Sequence, residues 1–147
     1  MSWEDADAYC KWVGKRLPTE AEWERATRGV DGRAYLWGNA LPDETKANYR
    51  RRVKQTTPVG SYPAGVSPHG LYDMCGNVWE WVADYWAKDY YKYSPRENPK
   101  GPVGGTHVVR GGSWVNNTGY ISATVRPDPN LEHRQGHKGF RCAKDAQ

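Results

Sequence analysis

Glycine and proline set the first limit on how this chain can fold. Sixteen Gly and ten Pro are spread through 147 residues, and they leave little uninterrupted chain for a helix bundle or a coiled coil. The punctuation is densest between residues 30 and 75, at Asp31-Gly32, Trp37-Gly38-Asn39, Pro42, Pro58, Pro63 and Pro68. Tyr35, Trp37, Tyr49, Tyr62 and Tyr72 recur through the same stretch. Such aromatics need burial, so the segment reads as ordered loop rather than disorder. Eight Trp and ten Tyr supply large buried area per residue, which offsets a hydrophobic content of only 37%. At this length one domain, residues 1–147, is expected.

Helical signals are confined to the N-terminal part. Ser2 precedes Asp5 by three residues, and Trp3, Ala6, Cys10 and Val13 follow at helical spacing. Gly14 stands where a left-handed cap belongs. Thr19 and Glu22 form a capping box for a second helix, with Pro18 just outside it and Gly29 as its stop. Trp23 and Ala26 would face inward from that helix. Strand-like writing comes later, at 78–85, 108–115, 120–126 and 138–143, interrupted by a polar, Tyr- and Pro-rich excursion over 89–105. The expected fold is α+β, with two N-terminal helices followed by short antiparallel strands and long ordered loops.

Composition narrows the function classes. The net charge of +4 is mild, and Arg50, Arg51, Arg52 and Lys54 make the one compact basic cluster. That cluster leads into Thr56-Thr57-Pro58, a loop-like context, so it reads as a solvated loop and no nucleic-acid partner is expected. No apolar run reaches membrane-spanning length and none follows Met1. Neither a transmembrane anchor nor a signal peptide is therefore expected. Cys10, Cys75 and Cys142 form no CxxC pair, which excludes a thioredoxin-like site or a zinc knuckle. Trp79 and Trp81 fall on one face of a strand and read as a core layer, with Trp86 nearby. His133 and His137 have the i,i+4 spacing of a metal pair, but Gly136 and the Pro127/Pro129 pair argue for a loop with incidental histidines. His69 and His107 carry no signal.

Several strings occur in a telling order: Trp3-Glu4-Asp5-Ala6, Lys15-Arg16-Leu17-Pro18-Thr19-Glu20-Ala21-Glu22-Trp23, Gly70-Leu71-Tyr72-Asp73-Met74-Cys75-Gly76-Asn77-Val78-Trp79-Glu80-Trp81, Arg110-Gly111-Gly112-Ser113-Trp114 and Gly139-Phe140-Arg141-Cys142. With these the chain resembles the formylglycine-generating enzyme, or sulfatase-modifying factor, family from Ser2 to Asp145. The resemblance implies a variant of the C-type-lectin fold. It does not fix the chemistry. The family includes sulfatase-activating oxidases, the partner domain of ergothioneine-type sulfoxide synthases, a pyoverdine-maturation enzyme and the ligand-binding variable proteins of diversity-generating retroelements.

In the oxidases two cysteines after the Gly-Gly-Ser motif bind copper as thiolates, the soft ligands Cu(I) requires. Here those positions fall on Asn116 and at Ile121, and no cysteine lies between Cys75 and Cys142. Formylglycine-generating activity is therefore disfavoured and no copper is expected. Cys10 and Cys142 match a pair that is disulfide-bonded in the secreted oxidase; the resemblance implies either that bridge, in an extracytoplasmic compartment, or two touching thiols in a reducing one. Cys75 matches no family cysteine and reads as a small core residue.

The resemblance also implies a structural calcium ion held by the side chain of Asp73, the carbonyls of Gly76 and Val78, and the Glu80 carboxylate. That set of hard oxygens within eight residues suits the ion. The bland alternative is that Asp73 closes a turn and Glu80 pairs with an arginine. A second family calcium site retains Asn48 and the Tyr49 carbonyl, but Arg51 stands near its acidic position, so the site is expected empty or filled by the arginine.

Function then divides into two classes. One is a non-catalytic, calcium-stabilised module that binds a protein or small-molecule ligand on a face made by Ser113, Asn116, Asn117, Tyr120, Arg126, His133 and His137. The other is a metal-dependent oxidase of the formylglycine-generating, sulfoxide-synthase or pyoverdine-maturation type with a non-cysteine active site. Family members carry a further N-terminal strand ahead of the first helix. The expectation is thus an N-terminally incomplete domain whose 139–143 strand has a bare edge, open to a partner chain or to self-association.

Overall fold

Reciprocal side-chain caps start both N-terminal helices. The computed structural model describes residues 1–128 and 136–145. The Ser2 hydroxyl accepts from Asp5 N–H at 3.2 Å and the Asp5 carboxylate accepts from Ser2 N–H at 3.0 Å, opening α1 (Trp3–Trp12). Thr19 and Glu22 do the same at 3.2 and 2.8 Å for α2 (Glu20–Arg28). Each box satisfies two N–H groups that the helix itself leaves unpaired, and each cap contributes about 1 kcal/mol. Gly29 stops α2 at φ +66°, a conformation that L side chains adopt at a cost.

Behind the helices lies a three-stranded sheet in the order β2-β1-β3. Strand β1 (Trp79–Tyr85) is central; a single-turn helix, α3 (Tyr90–Tyr93), follows it, then β2 (His107–Arg110) and β3 (Lys138–Phe140). The β1–β2 pair is antiparallel, but β3 runs parallel to β1, which corrects the expectation of an all-antiparallel sheet. Alternation along β1 places Trp79 and Trp81 in one buried cluster with Ala6, Cys10, Leu17 and Val109. Val82 belongs to a second cluster with Trp23, Leu36, Tyr49, Met74 and Ile121, against which Trp86 packs. α1 is fastened to the sheet by Trp3, whose indole N–H donates to Val82 O at 2.8 Å and whose ring stacks on His107 at 3.6 Å. It is also fastened by a disulfide between Cys10 and Cys142. Closing a loop with a sequence separation of 132 stabilises by about 5 kcal/mol on the chain-entropy estimate.

Two expected strands are shorter than the sequence suggests and one is absent. The 108–115 strand ends at Arg110, because Gly111 and Gly112 turn at φ +92° and +74°. A Cβ on either would come within 2.7 Å of Met74 O or 2.6 Å of Tyr120 O. Residues 120–126 form turns, not a strand. The carbonyls of Ala123 and Val125 are instead taken by the buried Arg110 guanidinium at 2.7 and 2.6 Å. The 138–143 strand stops at Phe140, but Ala143 exchanges both backbone hydrogen bonds with Arg16, at 2.7 and 3.0 Å. The 143 end of the expected bare edge is therefore covered from within the chain.

Candidate functional site

The 73–80 segment winds through three left-handed residues before it enters β1: Asp73 at φ +58°, Gly76 at +86° and Asn77 at +63°. Only glycine fits at 76, where a Cβ would lie 2.6 Å from Asn48 O. Glu80 is buried, and Arg141 grips it with two bonds, Nη2 to Oε1 at 2.6 Å and Nε to Oε2 at 2.7 Å. The Trp23 indole N–H adds a third bond to Oε2 at 2.7 Å. Asp73 accepts from Gly60 N–H through Oδ2 at 2.9 Å. Burial raises the Asp73 pKa, the Gly60 bond and Arg141 oppose that rise, and the Glu80 charge adds to it.

The turn and the arginine pair of the bland alternative are thus both present. Both Glu80 oxygens are engaged by Arg141 and Trp23, and the free acceptor of the expected calcium set is on Asp73. Among the described residues Asp73 Oδ1 accepts no hydrogen bond. No group of three or more His, Cys, Asp or Glu among the described residues is placed to hold a metal ion, so such an ion would depend on carbonyls as much as on side chains. At the second family position Asn48 donates to Gln55 O at 2.9 Å, while its own Oδ1 is buried without a partner. Arg51 is exposed there and makes no side-chain hydrogen bond or ion pair with the described residues.

After Arg110-Gly111-Gly112 the chain makes a tight turn that Asn116 closes. Its Oδ1 accepts from Ser113 N–H at 3.0 Å and from the Ser113 hydroxyl at 2.5 Å, while its own N–H donates to Ser113 O at 3.0 Å. Ser113 is fully buried by this arrangement and Ile121 lies in the core. Of the expected ligand face, Asn116, Asn117 and Tyr120 reach the surface, Tyr120 being 42% exposed with its ring edge-on to Trp79. Three expected members do not join them. Ser113 and His137 are buried, and Arg126 turns inward to Glu20. His133 lies outside the described residues.

No thiol is exposed near this turn. Cys10 and Cys142 are bonded to each other, and Cys75 is buried, which pushes its pKa up to about 12. A buried thiol raised this far stays protonated at neutral pH and is a poor nucleophile.

Sequence reasoning missed a buried ionic network. Glu20, at the first position of α2, is 1% exposed and binds Arg126 at 2.6 and 3.0 Å, with Arg110 Nε at 3.6 Å. Arg110 reaches on to Glu24 at 2.6 Å and lies over the Trp23 ring. Asp84 Oδ2 accepts from Glu20 N–H at 2.6 Å, and its Oδ1 is buried unpaired. Burial, with the Glu20 charge adding, pushes the Asp84 pKa up to about 6. Glu20 looked like an ordinary first-turn acid, and nothing local marks it as buried.

Comparison with known proteins matches the fold and these motifs together. The chain is 41% identical over 167 residues to the formylglycine-generating enzyme of Streptomyces coelicolor, covering 99% of this chain and 52% of that protein. It is 44% identical over 148 residues to the serine/threonine-protein kinase pkn1 of Chlamydia caviae, covering 98% of this chain and 23% of the kinase. The chain thus spans about half the length of the first relative and under a quarter of the second. Among solved structures, Treponema denticola variable protein 1 superposes with a TM-score of 0.70 and 32% identity, over 85% of this chain and 45% of that one. The family model for the sulfatase-modifying factor enzyme 1-like domain matches residues 1–146, and the chain belongs to that family.

Proposed function

We propose that this domain is a non-catalytic binding or accessory module, stabilised by calcium at Asp73, Glu80 and the Gly76 and Val78 carbonyls. Its working face is the turn carrying Asn116, Asn117 and Tyr120. The observation that carries this reading is the accounting of sulfur. The chain has three cysteines; two are joined to each other and the third is buried with its thiol held protonated. Copper chemistry of the thiolate type has no ligands here. The 23% share of a kinase that the domain matches also suits a module attached to other activities.

The second reading, an oxidase with a non-cysteine site, draws support from the 41% identity to a formylglycine-generating enzyme. Element analysis of purified protein separates the two. The module reading expects calcium and no stoichiometric copper or iron. One equivalent of either redox metal, retained through dialysis, would favour the oxidase.

A further inference from the structure

The basic loop that the sequence leaves as mere solvated chain is fastened to the proposed face. Arg50 N–H donates to Asn116 O at 2.8 Å and Arg51 N–H donates to Trp114 O at 2.7 Å. Those two bonds hold Arg50 and Arg51 at φ +55° and +56°, and Lys54 is at +61°. All three are non-glycine residues in the left-handed region, where an L side chain crowds its own backbone. A merely solvated loop would relax or carry glycine at such positions; a strained conformation persists only where its surroundings enforce it.

Of the four cationic side chains on this loop, one is neutralised and three are not paired by the described residues. Arg52 is paired with Glu44 and lies 5.4 Å from the Tyr49 ring. Arg50, Arg51 and Lys54 are exposed and make no side-chain hydrogen bond or ion pair with the described residues. Tyr49, the aromatic nearest in sequence, is 2% exposed, so the surface offers a single ring, Tyr120, and not the run of aromatics on which successive nucleobases stack. What remains is a preorganised set of cations flanking a polar turn with an exposed amide, Asn117, and an exposed tyrosine, Tyr120.

We infer that Arg50, Arg51 and Lys54, with the Asn116–Tyr120 turn, form a docking surface for an acidic, carboxylate-rich peptide segment of a partner protein. Guanidinium groups pair with carboxylates through two parallel bonds, and a loop already fixed in place loses little freedom on binding. The inference rests on the binding-module reading and adds the chemistry of the partner.

The test uses a fluorescein-labelled decaglutamate peptide titrated against the whole domain by anisotropy at low salt. The double variant Arg50→Gly/Arg51→Gly removes two cations and relieves both left-handed residues. It should weaken the peptide about tenfold while raising Tm by about 2–4 °C. Asn117→Ala/Tyr120→Ala should also weaken it. Arg96→Gln/Lys100→Gln, which removes two exposed cations from the 89–105 excursion, should leave it unchanged.

Equal weakening by the Arg96/Lys100 pair would mean general charge attraction and would overturn the proposal. So would tighter binding of a labelled oligothymidylate than of the peptide. Loss in the Arg50/Arg51 variant with no effect of Asn117/Tyr120 would leave the basic loop as the site and remove the turn from the working face.

Discussion

Asn116 Oδ1 accepts two hydrogen bonds from Ser113, one from its backbone and one from its hydroxyl. The side chain at the position that the family resemblance assigns to a copper-binding cysteine is therefore the lock of a turn. Asn116→Ala would strand the buried Ser113 hydroxyl and N–H. The expected loss is about 1–2 kcal/mol, read as a Tm drop of about 2–6 °C, with the fold otherwise intact by circular dichroism.

Glu80→Gln tests the 73–80 segment in two ways. It removes the charge that faces Arg141 at 2.6 Å, and breaking a buried pair by altering one partner costs about 3 kcal/mol. It also removes one of the proposed calcium ligands. Wild type should gain about 2.7 kcal/mol when calcium is present at a hundred times its Kd, and the variant should gain much less. Identical wild-type melts in calcium and in chelator would show that Arg141 alone neutralises the site.

Asp84 should make stability depend on pH. Its folded pKa is about 6 against an ordinary 3.8, so the folded state holds the proton more tightly than the unfolded chain. The resulting stabilisation is complete below about pH 4 and is lost as pH rises through about 6. Asp84→Asn keeps an acceptor for Glu20 N–H and cannot ionise. Its Tm should exceed that of wild type at pH 7.5, and the fall between pH 4 and 6 should be shallower. Parallel profiles for the two proteins would exclude Asp84 as the titrating group.

The local part of this architecture was legible in the sequence. Ser2 with Asp5 and Thr19 with Glu22 act over three residues; the second forms the capping box as read, and Ser2, read as a cap, forms one with Asp5 as well. Trp79 and Trp81 needed only strand alternation. Other features depend on contacts far away in the chain. Residues 120–126 look like a strand, but the Arg110 guanidinium claims the carbonyls that a ladder would use. The direction of β3 is decided by its pairing with Trp79–Trp81, which no local signal encodes. At the site, Asn116 was legible as a position and not as a turn lock, because its partner is a hydroxyl that looked available for ligand. Arg126 was read outward for want of any sign that Glu20 is buried.

The disulfide gives a further expectation. Cys10→Ser/Cys142→Ser frees α1 from the end of the sheet and should lower stability by about 2–5 kcal/mol. A reducing agent should shift the wild-type melt toward that of the variant and leave the variant unmoved. A wild-type melt indifferent to reductant would mean that the bridge does not form in solution.

The most direct test of the central claim is mass spectrometry of a Cys-x-Pro-x-Arg peptide incubated aerobically with copper-supplied protein and a reductant. With Asn116 and Ile121 at the positions that the family resemblance assigns to the cysteines, and Cys75 buried, the expected result is a peptide cysteine that stays unconverted, as in the control without protein. Formylglycine appearing above that control would contradict the binding-module account.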